Sequence, residues 1–220
     1  MGLKESGLRG SLRNVSVGID AIPDSVVDDF ERDDPLDDWS QETDVWDVET
    51  DNPLEGEQSI ETSSDSGSGS RIELSSSPID RLPERGDRFS YIGQTPEIND
   101  SRLNFLFGWD GTFLDNGYDV GYNDGNIFLR FGGDDIARTS VNASDYEDEA
   151  VEYEVSWTTN NDEIILKTFE FNISSQERGE KLDEISGTDD NSSSGSIGFF
   201  SGGDSGKRIV DRVLILETGL

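Results

Sequence analysis

The sequence predicts an all-β protein, and three observations carry that prediction. Large apolar side chains recur at every second position. Leu103, Phe105, Phe107 and Trp109 share one face of an extended segment, and Val151, Tyr153, Val155 and Trp157 share one face of another. A period of two marks half-buried strands. Asp110-Gly111, Asn116-Gly117 and Asp124-Gly125 interrupt the longest aromatic run, where hairpin turns need positive φ. No segment carries a convincing helical pattern. Many short antiparallel strands with Gly-rich turns make a sandwich or a barrel, and 220 residues suit one such domain.

Taken in order, residues 1–24 stand apart. Lys4, Arg9 and Arg13 balance Glu5, Asp20 and Asp24, so the stretch carries none of the net charge of −32. Leu3, Leu8, Leu12, Val15, Val17 and Ile19 give it an apolar character suited to an arm that docks into a neighbouring subunit or scaffold. Residues 25–220 read as the β domain. Val26, Val27 and Phe30 begin a first strand that the Asp-Asp-Pro cluster ends, and Val45, Trp46 and Val48 begin the next. Residues 51–57 form a turn before a strand over Gln58 to Thr62, and the Ser/Gly-rich 63–70 reads as a hairpin loop before Arg71 to Leu74. Phe89 and Tyr91 point inward from GDRFSYIG, and the Leu103–Phe131 stretch is an aromatic meander. Strands follow at Val151 to Trp157, Glu163 to Ile173, Ser196 to Phe200 and Arg208 to Glu217, with 174–196 mostly polar. That is roughly twelve strands, spaced as turn signals space them.

Forty-nine acids against 17 bases, only four of them lysine (Lys4, Lys167, Lys181, Lys207), are interleaved with eleven Phe, five Tyr and four Trp. The aromatics allow a core despite the charge. Self-repulsion of this size opposes compaction in dilute buffer. At about 1 M salt, where the Debye length is roughly 3 Å, it is screened. The acid-rich, lysine-poor composition is similar to that of proteins from extreme halophiles. No basic stripe exists to meet nucleic-acid phosphates, and the charge opposes an anionic bilayer. The absence of cysteine and histidine excludes disulfides, thiolate or imidazole metal sites, and His- or Cys-based catalysis. No 18-residue apolar run and no apolar leader segment are present in these residues.

Several motifs together resemble the concanavalin A-like lectin/glucanase superfamily in its laminin G-like branch. They are VDDFE (27–31), GDRFSYIG (86–93), NFLFG (104–108), GYDVGYNDGNIFLR (117–130), VEYEVSW (151–157), GSIGFF (195–200) and DRVLIL (211–216). The resemblance implies a jelly-roll sandwich of two antiparallel sheets over residues 25–220, with the first and last strands paired. GLRGSLRNVS (7–16), ahead of such a domain, is similar to structural proteins of haloarchaeal tailed viruses. That likeness implies an arm attached to a particle and a domain displayed outward.

Glycoside hydrolysis, the enzymatic use of this superfamily, needs two carboxyls flanking the bond. Its glycosidases carry Glu-x-Asp-x-x-Glu on one strand. The nearest stretch, Glu147 to Glu152, has Glu149 where the Asp belongs. Glu152 and Glu154 do share a strand face, opposite Val151, Tyr153, Val155 and Trp157, and read as an exposed acidic face. Laminin G-like domains often hold calcium, which takes oxygen ligands. Asp28 or Asp29 with Asp211 is a candidate structural calcium site, because the fold would pair their strands, and Asp115, Asp119, Asn123 and Asp124 form a second. Sugar recognition uses flat rings with amides and carboxylates. Tyr118 and Tyr122 with Asn116, Asp119 and Asn123 are the candidate carbohydrate-binding set, and Trp39, Trp46 and Trp109 also fall near predicted loops or strand ends. Asn-x-Ser sequons, those at Asn14, Asn142, Asn172 and Asn191 among them, are what an Asn- and Ser-rich chain gives by chance.

The expectation from both resemblances is a non-enzymatic virion surface protein of a halophilic virus, on head or tail. Its lectin-like domain would decorate the particle or touch a host-surface glycan or glycoprotein. Its partners would be other virion proteins through residues 1–24 and further copies of itself, with neither nucleic acid nor membrane insertion. The alternative is a cellular carbohydrate-binding module or adhesin, and the third reading is a glucanase-like hydrolase.

Overall fold

The computed structural model describes residues 25–41, 45–62, 70–74, 81–96, 102–110, 116–203 and 206–216. The arm residues Leu3, Leu8, Leu12, Val15, Val17 and Ile19 lie outside them, as does Asp115. Among the described residues, fifteen strands form two antiparallel sheets. They are β1 (Ser25–Asp28), β2 (Ser40–Gln41), β3 (Trp46–Glu49), β4 (Ser59–Thr62), β5 (Ser70–Leu74), β6 (Arg88–Gln94), β7 (Arg102–Trp109), β8 (Tyr118–Asn123), β9 (Asn126–Phe131), β10 (Asp134–Ser140), β11 (Ala150–Trp157), β12 (Glu163–Asn172), β13 (Glu177–Thr188), β14 (Ser196–Gly202) and β15 (Ile209–Leu216). The only helical turn among the described residues is a 3₁₀ turn at Ala143–Asp145.

One sheet runs β13-β12-β11-β6-β15-β4-β3, with β1 also on β15, and the other runs β10-β9-β8-β7-β14-β5-β2. Ser25 opposes Ile215, so the first described strand pairs with the last, as the superfamily resemblance implies. The β7-β8-β9 meander forms as read, and Asp124 and Gly125 make its second turn with φ of 46° and 71°. Two consecutive positive-φ residues are what a tight hairpin turn of matching twist requires.

The core follows from alternation. Tyr91 and Tyr153 are cross-strand partners whose rings stack at 4.7 Å. Tyr91 meets Phe105 of the opposite sheet at 5.1 Å, and Phe107 meets Trp157 edge-on at 5.1 Å. Such rings bury large areas and interlock the two layers. Trp39 and Trp46 pack on Phe199 in the same core.

Three features differ from the sequence reading. β4 and β5 lie in different sheets, so they are not the two arms of one hairpin; residues 63–69 of the segment read as a hairpin loop lie outside the described residues. β10 and β13 went unread because they are edge strands with mostly exposed side chains, which blurs the alternation. The segment read as strand to Phe30 ends at Asp28, because Phe30 turns to a φ of 56° with its N–H held by Asp28 Oδ1.

Candidate functional site

Because Val151, Tyr153, Val155 and Trp157 fill the core, Ala150, Glu152 and Glu154 of β11 point to the outer face of the eight-stranded sheet. The same parity sends Arg88 and Ile92 of β6, and Ile209, Asp211 and Leu214 of β15, to that face. Phe169, Glu152, Ile92 and Asp211 thus form one row across four strands.

Glu152 and Glu154 are 2% and 4% exposed, so the acidic face read from sequence is in fact covered. Buried carboxylates need cations, and three arginines supply them. Register shifts at Thr168/Phe169 and Phe169/Phe171 bend the β12–β13 hairpin, and its far strand brings Arg178 over β11. Arg178 Nε and Nη2 donate to the two oxygens of Glu152, each at 2.8 Å, and Nη1 donates to Glu154 Oε2 at 2.7 Å. Arg212 sits in the β15 bulge with φ of 42°, a conformation that re-aims a side chain out of the ladder. It donates to Glu55 Oε1 at 2.8 Å and Glu152 Oε1 at 3.4 Å. Arg88 Nη2 donates to Glu154 Oε2 at 3.2 Å. Arg178 lies 4.2 Å above the Phe169 ring and Arg212 5.6 Å from that of Phe171. Stacking and bidentate bonding together fix the guanidinium planes.

Between these groups is a groove of about 380 Å³ lined by Arg88, Glu152, Phe171, Gln176, Arg178, Arg212, Leu214 and Leu216. Phe171 packs with Leu54, Ile92, Ala150 and Ile209 in an apolar cluster separate from the main core. It also lines a second groove of about 460 Å³ with Ser144, Asp145, Glu149, Glu170 and Asn172. A third, of about 440 Å³, lies against Glu49, Asn52, Gln94, Ile173, Lys207 and Ile209.

Burial pushes the Glu152 carboxyl up, but the Arg178 bonds outweigh it and hold the group below the usual carboxylate range. A glycosidase acid must hold a proton for the leaving oxygen. Glu152 is shifted the other way, and its oxygens are already bonded to two arginines. Asp211 differs. Burial lifts it to about 7, even though Ser59 Oγ–H and Glu55 N–H both donate to it. On Glu49, burial is outweighed by hydrogen bonding with Glu61, by the N–H groups of Asn52 and Asp51, and by Lys207, leaving it at about 2. Glu61 beside it is raised, mainly by burial.

The carbohydrate set read from sequence needs correction. Tyr118 and Tyr122 are 1% and 0% exposed. Tyr118 packs on Phe107 and Trp157, and Tyr122 stacks on Tyr146, so neither offers a ring face to a sugar. Their hydroxyls donate to Asp189 and Glu147. Asp119 is buried and ion-paired with Arg130 while accepting from Asn104. Asn116 is exposed and bonded to Asp110, and Asn123 is half-buried beside the turn. Trp39, Trp46 and Trp109 are buried as well. An aromatic next to a Gly turn does not reveal which face of the sheet it takes.

The calcium set does not fit a metal. Asp28 accepts from Phe30 N–H, Arg32 Nη1 and Trp39 Nε1 at 2.7–2.8 Å, which occupies both oxygens. Asp29 is exposed and accepts from Glu31 N–H. Asp211 is taken by Ser59 and Glu55, and Asp28 opposes Val213 rather than Asp211. Asp119, Asn123 and Asp124, of the second set, converge no better. Among the described residues no three acids come together as a metal site. Arg88, Arg178 and Arg212 line this groove and were not among the candidate residues read from sequence. The available signal was that two outward acids on one strand, Glu152 and Glu154, require a cation.

No protein-family model matches the chain, and no curated protein matches it by sequence. Solved structures do match. A Bacillus subtilis protein of unknown function with a galectin-like fold aligns at 11% identity and a TM-score of 0.60, over 86% of this chain and 93% of that one. A Bauhinia forficata lectin solved with GalNAc aligns at 13% identity and 0.54, over 90% and 98%. The carbohydrate-binding module CBM66 from Bacillus subtilis aligns at 14% identity and 0.50, over 80% and 93%. The chain has a lectin-like two-sheet sandwich fold.

Proposed function

We propose that this protein is a non-catalytic glycan-binding module, with its binding face on the outside of the eight-stranded sheet. The observation that carries this reading is the arginine-clamped groove at Glu152, with polar groups fixed beside the apolar wall of Phe171, Leu214 and Leu216. Saccharide sites combine such a wall, for ring C–H faces, with a few oriented donors and acceptors. The lectin solved with GalNAc and the carbohydrate-binding module share the fold, which supports the class of ligand. An ionised, doubly paired Glu152 supports binding over hydrolysis. The test is a glycan array probed with the whole chain, with release of reducing sugar assayed on every glycan bound. Binding without turnover is the expected result. Turnover, or binding to none, overturns the reading.

A second reading concerns display. Residues 1–24 are neutral in a chain of charge −32, which favours a docking arm. On a particle surface, many weak sites would act together through avidity. Deleting residues 1–24 should leave glycan binding by the free domain unchanged while abolishing incorporation into any larger assembly; incorporation that survives the deletion contradicts the arm.

A further inference from the structure

We propose that the groove at Arg88, Arg178 and Arg212 takes a carboxylate-bearing sugar, a uronic acid residue of a glycan chain. This deepens the glycan-binding reading and rests on it.

The inference begins with what the groove shows to solvent. Its acids lie at the floor, with the Glu152 and Glu154 side chains 3% and 4% exposed. Its cations form the rim, with the side chains of Arg88 39%, Arg178 33% and Arg212 19% exposed. A protein of charge −32 therefore presents guanidinium groups at this place. Each guanidinium carries five N–H donors. The Arg88 side chain spends one on Glu154, in a bond of 3.2 Å, and its Nε–H is buried without a partner. With Nε buried and the side chain 39% exposed, the terminal Nη groups are the ones left to meet a carboxylate. Arg178 and Arg212 are held in place by Phe169 and Phe171, so they need no reordering to meet a ligand.

The charge count selects the kind of anion. Three guanidiniums stand over Glu55, Glu152, Glu154 and Asp211. Counted as ionised, that is three positive against four negative charges, a local balance of −1 with the cations outermost. One negative charge is accommodated at the rim, whereas a densely sulfated chain meets the acids beneath and the field of the whole protein. Beside the rim, Phe171, Leu214 and Leu216 supply the apolar wall that a pyranose ring needs. A free inorganic anion uses only the guanidiniums and gains nothing from that wall.

The test is calorimetric titration of the whole chain with four probes: an oligouronate, the same oligosaccharide with its carboxyls reduced to alcohols, a sulfated glucan oligosaccharide, and sodium acetate. The oligouronate should bind at least about tenfold more tightly than its reduced form, with the sulfated chain and acetate weaker still. Arg88→Gln should lose about tenfold of the oligouronate affinity and retain the wild-type melting temperature, since Arg88 is half-exposed and makes one long bond. Arg212→Lys, which keeps the charge but loses the planar fork, should lose affinity as well. Equal binding of oligouronate and reduced sugar overturns the inference and leaves the glycan-binding reading standing. Tighter binding of the sulfated chain or of acetate overturns the ligand class. Oligouronate binding unchanged by both variants moves the site elsewhere. Binding of no saccharide overturns both readings.

Discussion

Arg178 meets both carboxylate oxygens of Glu152, its Nε and Nη2 each 2.8 Å away, across the bulged β12–β13 hairpin. The pair ties the hairpin to β11 and roofs the outer face of the eight-stranded sheet. Removing one partner of a buried ion pair costs more than the pair is worth, because the other charge stays buried. Arg178→Gln should therefore destabilise the fold by about 3 kcal/mol, the low end for buried pairs because the guanidinium is a third exposed. Arg178→Gln combined with Glu152→Gln should recover part of that loss. Urea unfolding of the two variants measures it; additive losses contradict the coupling.

Asp211 gives the protein a pH dependence of unusual sign. Its carboxyl is lifted by burial from 3.8 to about 7. Between those values the folded chain holds a proton that the unfolded chain has released. Stability from this group is therefore full below the lower value, falls as pH rises through the window, and is lost above about 7. Glu49, held at about 2, acts oppositely: its contribution is present above the ordinary glutamate range and is lost as pH falls towards 2. Asp211→Asn keeps an oxygen for the Ser59 and Glu55 donors and removes the titration. Urea midpoints at about pH 5 and about pH 8 should fall with rising pH more in wild type than in Asp211→Asn. Parallel slopes contradict the assignment.

Gly121 lies where β8 passes close to β7. A Cβ there would sit 2.1 Å from the Leu103 carbonyl oxygen, a backbone atom that cannot step aside. Gly125, in the β8–β9 turn at φ of 71°, has nothing within 4 Å of an added Cβ. Gly121→Ala should break the central sheet pairing and lower the yield of folded protein. Gly125→Ala should cost only about 1 kcal/mol, the price of a left-handed alanine. Melting curves of the two variants check this, and similar losses contradict it.

Phe171 anchors the hairpin tip on Leu54, Ile92, Ala150 and Ile209. Phe171→Ala should loosen that tip, with faster amide exchange over residues 170–178 and little change in the meander. Its stability cost should fall near 3 kcal/mol, where ring truncations in buried clusters begin. Uniformly faster exchange across both sheets would contradict a local anchoring role.

Much of the architecture was legible because the core obeys a period of two. Val151 to Trp157 and Leu103 to Phe107 carry their inward faces in the sequence itself. The exposed edge strand Glu177–Thr188 lacks that signature, since one side of it never meets a core. Sheet membership is not local either, which is why 63–70 read as a hairpin loop. The site was harder still. Glu152 and Glu154 could be placed on one outward face, but Arg178 is 26 residues from Glu152 in the chain, and only two register shifts bring it there. Tyr118 and Tyr122 looked like binding aromatics because turn proximity is visible in sequence and ring orientation is not.

The most direct test is a crystal structure of the whole chain with a bound oligosaccharide from the array. The sugar should lie on the outer face of the eight-stranded sheet, in contact with Arg88, Phe171 and Arg212. Sugar seated on the seven-stranded sheet, or on loops remote from Glu152, would contradict the account.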